Sequence, residues 1–166
     1  MKHIAIFATG GGSNAQKIIE HFENHETIKV SLIISNKKTA GVLEKAAVKN
    51  IPTLIINREE FYQTENIILK LDAFQIDFIV LAGFLWLMPT YMVKIYAKKV
   101  VNIHPALLPK YGGKGMYGMN VHRAVHAAKE AESGMTIHYV NEHYDEGGII
   151  FQAKCTINSK DTPTDV

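Results

Sequence analysis

The sequence predicts an α/β protein with a doubly wound, mostly parallel, Rossmann-like sheet and an antiparallel edge formed by the C-terminal strands. Two observations support this prediction. Between residues 3 and 103, short apolar runs alternate with segments of helical period, an order typical of parallel strands joined by crossover helices. The last third of the chain instead contains two strand-like runs joined by a polar turn, which indicates an antiparallel pair.

Each element follows from its local pattern. Strands are expected at the short apolar runs, which are residues 3–8, 28–35, 52–56, 77–82 and 100–103. Helices are expected between these strands, at residues 14–25, 41–50, 58–74 and 89–98. The run Ile79-Val80-Leu81-Ala82 is apolar on both faces, as in a central parallel strand covered by helices on either side. The two late strands are expected at residues 134–140 and 148–156.

Composition argues against several classes of protein. The chain has 166 residues, of which 47% are apolar and 20% charged, and this suits one globular domain over residues 1–166. Its 18 basic residues are scattered apart from two adjacent pairs, so no nucleic-acid partner is expected. No signal peptide or membrane-spanning run is visible, so no membrane partner is expected either. A single cysteine, Cys155, favours a reducing, cytoplasmic location, and the oligomeric state is not predicted.

Asn102 and His104 are the most informative pair in the chain. They stand two residues apart at the end of an apolar run, so their side chains project from the same face of the expected strand. Pro105 and Pro109 then end the strand and fix the backbone path, because each locks its own φ and offers no N–H. Open α/β sheets place their sites at the carboxyl ends of strands, so this pair predicts an enzyme.

The first loop, residues 9–14, is rich in glycine and leads directly into a helix. Such a loop lets the backbone approach a ligand, and the helix start offers unpaired N–H groups to an anion. The acidic residue that would hold a ribose after the second strand is replaced by Ser35, so a phosphate monoester is favoured over NAD. The alternative is a glycine turn in which Ser13 or Asn14 merely caps the helix. The residues alone favour neither interpretation.

Asp145 is the candidate partner of His104. It lies in the polar turn before Gly147 and Gly148, whose backbone freedom can present its carboxylate. An Asp in a turn is by itself more often a solvated turn-former, so the interpretation depends on its pairing with His104. A carboxylate beside an imidazole orients the ring and favours its protonated form, so His104 is expected to be charged. His138, on the strand that leads to this turn, either lines the site or is a satisfied interior histidine.

Other segments allow more than one interpretation. The apolar loop 83–89 either walls a flat heteroaromatic ligand or covers the core. The glycine-rich loop 109–118 either acts as a lid or is an ordinary surface loop. His122 and His126 lie four residues apart on an expected helix, but no Glu stands between them and no cysteine cluster accompanies them, so no metal is expected. A nucleophile elbow around Ser13 lacks persuasive Asp and His partners.

Together these motifs resemble phosphoribosylglycinamide formyltransferase, a folate-dependent enzyme family of purine synthesis. The matching segments run in order over nearly the whole chain and are Gly10-x-Gly12-Ser13-Asn14, Leu81-Ala82-Gly83-Phe84, the block from Asn102 to Tyr111, and residues 138–145 with Gly147-Gly148. The pattern Asn-x-His-Pro-x-Leu-Leu-Pro with a downstream Asp is specific to folate formyltransferases. The opening glycine loop, set against the chain length, narrows the match to this family.

The resemblance implies transfer of a formyl group from 10-formyltetrahydrofolate to the amine of glycinamide ribonucleotide, both of them small-molecule partners. It implies that Asn102, His104 and Asp145 form the catalytic trio. By position, the 5′-phosphate is held by Gly12, Ser13 and Asn14, and the folate is received by Leu85, Trp86, Leu87, Met88, Val140, Asn141 and Asp145. Further candidates for site lining are Pro105, Lys110 and His138. No residue resembles a covalent nucleophile, so direct transfer in a ternary complex is expected, with Asn102 and His104 as donors to the oxyanion.

Three departures from the family pattern stand out. Family members continue into a helix that closes the ribose side of the site, so this chain is expected to lack its C-terminal helix. The stretch 114–119 is longer than in many relatives, and Trp86 stands where many carry Arg. Three alternatives stay open: formyltetrahydrofolate hydrolase, a methionyl-tRNA formyltransferase-like enzyme, and a non-catalytic module that binds a phosphate ligand in loop 10–14.

Overall fold

The alternating runs of the first hundred residues fold as parallel strands. A computed structural model describes residues 1–166, and the chain divides into two units, Met1–Val100 and Val101–Val166. The strands of the first unit are β1 (Lys2–Phe7), β2 (Ile28–Ser35), β3 (Thr53–Ile55) and β4 (Phe78–Leu81). Their order is β3-β2-β1-β4, and every neighbouring pair is parallel. This is the start of the doubly wound order of a Rossmann-like sheet.

The first unit also contains five helices, of which the first four connect these strands and the fifth follows β4. They are α1 (Ser13–Phe22), α2 (Gly41–Val48), α3 (Arg58–Gln63), α4 (Asn66–Ala73) and α5 (Thr90–Ile95). The central strands are apolar on both faces, and Ile6, Leu32 and Ile79 are fully buried. Phe7 packs edge-on against Phe84 with ring centroids 5.2 Å apart. The core therefore lies around β1, and the loops that follow β1 and β4 emerge directly from it.

The prediction of a single helix over residues 58–74 is wrong, because the structure has two helices there. The break falls at Thr64, whose φ of −132° and ψ of 156° are those of extended backbone. The Thr64 hydroxyl donates to the carbonyl of Glu60 at 3.0 Å. A threonine that bonds the local backbone in this way competes with the helical hydrogen bonds. Periodicity alone does not reveal this break.

The last third of the chain is antiparallel. Its elements are β5 (Val100–His104), α6 (Met119–Ala127), β6 (Glu132–Tyr139) and β7 (Ile149–Thr156). The order is β5-β6-β7, with both pairs antiparallel. Val121 and Val125 on the buried face of α6 form a small core with Ala106. The predicted fold class, with parallel strands first and antiparallel strands at the C-terminal end, is confirmed.

Helix α6 ends in a Schellman motif, which fixes the residue that follows it. Lys129 has a φ of 53°, and its N–H donates to the carbonyl of His126 at 2.9 Å. The N–H of Glu130 donates to the carbonyl of Val125 at 3.4 Å. These two bonds close the helix and set where Glu130 leaves it. None of the six helices has the length and apolar character needed to cross a bilayer.

Candidate active site

The pairing of β5 with β6 assembles the polar cluster of the second unit. Asn102 lies directly opposite His138 in the antiparallel register, and His104 lies opposite Thr136. Because residues two apart share a face of a strand, Asn102 and His104 project together, as the sequence predicts. The turn between β6 and β7 then brings Asp145 to the same place. Its Oδ1 accepts from Asn102 Nδ2 at 3.1 Å, and its Oδ2 lies 3.5 Å from His104 Nδ1.

Asp145 is held in position by strained and close-packed backbone. Its own φ is 58°, a left-handed conformation that Asp tolerates better than most residues. Gly147, two residues later, approaches β6 so closely that a Cβ there would lie 1.6 Å from the carbonyl oxygen of Tyr139. The backbone N–H of Gly113 donates to Asp145 Oδ2 at 3.0 Å. The turn thus fixes the carboxylate and keeps it away from solvent. Only 9% of the Asp145 side chain is exposed.

The charge of Asp145 follows from these contacts. Burial raises the pKa of the Asp145 carboxyl, but its contacts with His138 and with the Gly113 N–H, together with the facing His104 imidazole, lower that pKa by more. The net pKa is below its usual range, so the group is a carboxylate at neutral pH.

His104 differs from the sequence prediction in its protonation. Its Nε2 lies 2.8 Å from the carbonyl oxygen of Tyr111, so Nε2 carries a proton and donates. Burial lowers the pKa of His104, whereas Asp145 and the Tyr111 carbonyl raise it, and His138 adds to the lowering. The net pKa is below its usual value, because the desolvation of a nearly buried ring outweighs the facing carboxylate. His104 is therefore neutral in the free protein at neutral pH, rather than held charged by Asp145.

His138 joins the same network as a buried partner of Asn102. Its Nδ1 donates to the carbonyl of Tyr139 at 2.8 Å, and its Nε2 lies 3.4 Å from Asp145 Oδ1. The Asn102 amide nitrogen lies 3.1 Å from that Nε2. The Asn102 amide nitrogen thus contacts both Asp145 and His138. A ligand oxygen that accepts from Asn102 must displace one of these contacts.

Thr136 and Gln152 support the segment after His104, although no sequence motif points to them. Thr136 is fully buried; its hydroxyl donates to the carbonyl of Ala106 at 2.6 Å and accepts from the N–H of Leu108 at 3.0 Å. Gln152 donates to the carbonyl of Leu108 at 2.9 Å and to the Thr136 hydroxyl at 3.0 Å. These bonds hold the segment that leaves β5 after His104. Strand alternation offers the signal for Thr136, because it lies two positions before His138 on the same face.

The loop after β5 is fastened to the polar cluster at its beginning. The Tyr111 carbonyl accepts from His104, and the Gly113 N–H donates to Asp145. Lys110 is exposed and pairs with Glu130 at 2.7 Å. Pro105 is half-buried directly after His104. The first residues of this loop are therefore fixed by hydrogen bonds, whether the loop acts as a lid or is an ordinary surface loop.

The glycine loop of the first unit leaves α1 without a side-chain cap. Gly12 is the N-cap residue, with a φ of 71°, and no side chain bonds to the first turn. A Cβ at Gly12 would lie 2.6 Å from Cβ of Val42, so only glycine fits there. Ser13 and Asn14 are exposed, and neither caps the helix. The capping interpretation is therefore wrong, and the first N–H groups of α1 remain open to an anion.

The loop after β4 is linked to the loop after β1 within the first unit. The Leu85 N–H donates to the Thr9 hydroxyl at 3.0 Å, and the Thr9 N–H donates to the carbonyl of Gly83 at 3.0 Å. Leu85 is exposed, whereas Met88 is buried, so this loop both covers the core and presents an apolar side chain.

Trp86 and Leu87 contact neighbours from α3. The Trp86 ring lies 5.8 Å from the guanidinium of Arg58, and the Leu87 carbonyl accepts from Tyr62 at 2.9 Å.

The remaining candidates lie in the turn of the second unit. Val140 and Asn141 are half-buried, and the Asn141 side chain accepts from the N–H of His143 at 2.9 Å. No group of three or more His, Cys, Asp or Glu side chains is arranged to hold a metal ion.

A doubly wound unit with an uncapped glycine loop, together with a buried Asn–His–Asp cluster, defines the chain as an α/β protein with an enzyme-like site. Residues 2–166 match the family model described as formyl transferase, and the chain belongs to that family. The relatives narrow the match further and confirm the resemblance seen in the sequence. A chloroplastic phosphoribosylglycinamide formyltransferase of Arabidopsis thaliana is 39% identical over 99% of the chain, which spans 59% of that protein's length.

Bacterial relatives of the chain carry the same name as the plant relative. The phosphoribosylglycinamide formyltransferase of Haemophilus influenzae is 36% identical over 100% of the chain and 78% of its own length. The crystal structure of phosphoribosylglycinamide formyltransferase from Anaplasma phagocytophilum superposes with a TM-score of 0.88 at 31% identity, covering 98% of this chain and 76% of that one.

Proposed function

We propose that the protein transfers a formyl group from 10-formyltetrahydrofolate to the amine of glycinamide ribonucleotide in purine synthesis, by direct attack within a ternary complex. The observation that carries the proposal is the buried cluster in which one carboxylate, Asp145, contacts both Asn102 and His104. Relatives that bear the same name across plants and bacteria support it.

The chemistry asks for donors to an oxyanion and an acceptor for a proton. The neutral amine attacks the formyl carbon, the carbon–nitrogen bond to the folate breaks, and the amine loses a proton. Asn102 and the ring of His104 are the proposed donors to the tetrahedral oxyanion, and loss of one such donor typically costs about 10²–10³-fold in rate. His104 starts neutral, so the proton released by the amine reaches the His104–Asp145 pair, where the resulting imidazolium lies beside the carboxylate. The imidazolium then passes this proton to the folate nitrogen as the carbon–nitrogen bond breaks. Activity is expected to fall at acid pH because the substrate amine becomes protonated.

The two substrates are proposed to bind at loops of the protein. Gly12, Ser13 and Asn14 are proposed to hold the 5′-phosphate, supported by the uncapped start of α1. The folate is proposed to contact the loop of Leu85, Trp86, Leu87 and Met88 and the turn containing Val140, Asn141 and Asp145; the exposed Leu85 supports this. His138, Pro105 and Lys110 are proposed to line or support the same site.

The two units are proposed to act as one formyltransferase domain over residues 1–166, since a single family model matches residues 2–166. A cytoplasmic location, which the single cysteine favours, belongs to the same proposal.

The test follows the absorbance change as 10-formyltetrahydrofolate loses its formyl group, with and without glycinamide ribonucleotide, in the wild type and in His104→Ala. Turnover that requires the ribonucleotide and collapses in the variant supports the proposal. Turnover without the ribonucleotide indicates a hydrolase instead. Binding of the ribonucleotide with no turnover by the wild type, at any protein concentration, indicates a binding module.

A further inference from the structure

Glu130, at the centre of a second polar cluster within the second unit, has no role in the proposed chemistry. Glu130 Oε1 accepts from Lys110 Nζ at 2.7 Å and from the hydroxyl of Tyr111 at 2.9 Å. Glu130 is half-buried, and the Schellman motif at the end of α6 fixes its backbone. An acid on a closed helix end therefore holds two consecutive residues of the loop that follows β5.

Tyr111 connects this cluster to His104. Its ring packs against the small core of Ala106, Val121 and Val125, and its backbone carbonyl accepts from His104 Nε2 at 2.8 Å. Its φ is 57°, a left-handed conformation that is unfavourable for a residue with a Cβ. Such a conformation persists only where the surroundings impose it. The hydroxyl bond to Glu130 and the apolar packing of the ring are two of the contacts that hold Tyr111.

We propose that Glu130 is a positioning residue for His104: it fixes the Tyr111 hydroxyl and, through that residue, the carbonyl that orients the imidazole. The inference rests on the proposed function only in that it takes His104 to be catalytic. Glu130 itself contacts neither His104 nor any other member of the Asn–His–Asp cluster in the hydrogen bonds described above.

The charges around both groups agree with this role. Hydrogen bonds from Lys110 and Tyr111 lower the pKa of Glu130, so it is ionised and a strong acceptor. His104 is faced by Asp145, by His138 from β6 and by the Tyr111 carbonyl. Of these, the carbonyl is the contact that Glu130 controls, and it raises the pKa of His104 against the effect of burial. Loosening Tyr111 should therefore lower that pKa.

The test compares four variants by NMR titration of the His104 ring nitrogens and by steady-state kinetics. Tyr111→Phe keeps the packed ring and removes the hydroxyl, and Glu130→Ala removes the acceptor. Glu130→Gln keeps an oxygen that can accept from the hydroxyl, so it should preserve the positioning. Glu132→Gln is the matched control, because Glu132 forms an exposed ion pair with Lys154 at 3.1 Å.

Tyr111→Phe and Glu130→Ala should each lower kcat about fivefold, the loss of one net hydrogen bond, with KM nearly unchanged. Both should also lower the pKa of His104. Glu130→Gln and the Glu132→Gln control should resemble the wild type. The proposal is overturned if Glu130→Ala and Tyr111→Phe leave the His104 titration unchanged, or if Glu130→Gln loses as much as Glu130→Ala.

The two proposals fail separately. A wild type without formyl transfer contradicts the proposed function, whereas the NMR titration still decides the positioning. If Glu130→Ala does not fold, as judged by circular dichroism, Tyr111→Phe decides the outcome, because it retains the apolar ring.

Discussion

Gly147 offers the sharpest structural test of how the turn presents Asp145. An ideal Cβ at this position would lie 1.6 Å from the Tyr139 carbonyl oxygen, and real Cβ contacts essentially never fall below 3.0 Å. In Gly147→Ala one of the two backbones must therefore move by about 1.4 Å. The obstacle is backbone rather than a flexible side chain, so the strain cannot be relieved by a rotamer change.

Either movement disturbs the polar cluster. A shift of β6 displaces the Tyr139 carbonyl that accepts from His138. A shift of the turn displaces Asp145, which precedes Gly147 by two residues. A misplacement of about 1 Å can cost on the order of 10²-fold in rate. We therefore expect Gly147→Ala to lower kcat by on the order of 10²-fold while the protein remains folded.

The assay is ribonucleotide-dependent formyl transfer, with circular dichroism to verify the fold. Gly148→Ala is the matched control, because nothing lies within 4 Å of a Cβ at Gly148. The reasoning is refuted if Gly147→Ala retains wild-type kcat, or if Gly148→Ala loses as much activity as Gly147→Ala.

Three further predictions concern separate parts of the molecule. Gly12→Ala places a Cβ within 2.6 Å of Val42 at positive φ, so KM for the ribonucleotide should rise about tenfold or more. Gly10→Ala is the control, because a Cβ there has open space around it and should change KM little. Measuring KM for the ribonucleotide in both variants tests this prediction. Thr136→Val leaves buried partners unsatisfied and should lower the free energy of unfolding by about 1–3 kcal/mol in a denaturant titration, and Thr136→Ser should restore most of it. Burial lowers the pKa of His104 in the folded protein, whereas in the unfolded chain this histidine takes up a proton near pH 6.5. Stability is therefore lost as the pH falls through about 6.5 towards the folded pKa. His104→Gln should thus lose less unfolding free energy than the wild type between about pH 7 and pH 5; an equal loss would contradict the lowered pKa.

Much of the fold can be predicted from the sequence because strand periodicity and burial are local signals. The strand expected at residues 28–35 is found with those same ends, and the others differ by one or two residues at their ends. The helix expected at residues 58–74 fails at Thr64, where a side-chain hydrogen bond to the Glu60 carbonyl overrides an unbroken apolar pattern. Such a bond leaves no trace in the spacing of apolar residues.

The polar cluster can be predicted in part. Alternation on β5 places Asn102 beside His104, but the strand pairing that brings His138 opposite Asn102 depends on a register that the sequence does not specify. The protonation of His104 is the clearest difference. From the sequence, a neighbouring Asp suggests a charged imidazole, whereas the depth of burial that reverses the balance is known only from the fold.

The measurement that tests the central claim most directly is the yield of formylated glycinamide ribonucleotide by the wild type and by Asp145→Asn. The carboxylate contacts both Asn102 and His104, and its replacement keeps the shape of the side chain while removing the charge. We predict that the wild type forms the product and that Asp145→Asn, folded as judged by circular dichroism, is slower by on the order of 10²–10³-fold. Product formation by the variant at the wild-type rate, or no product from the wild type, would contradict the account.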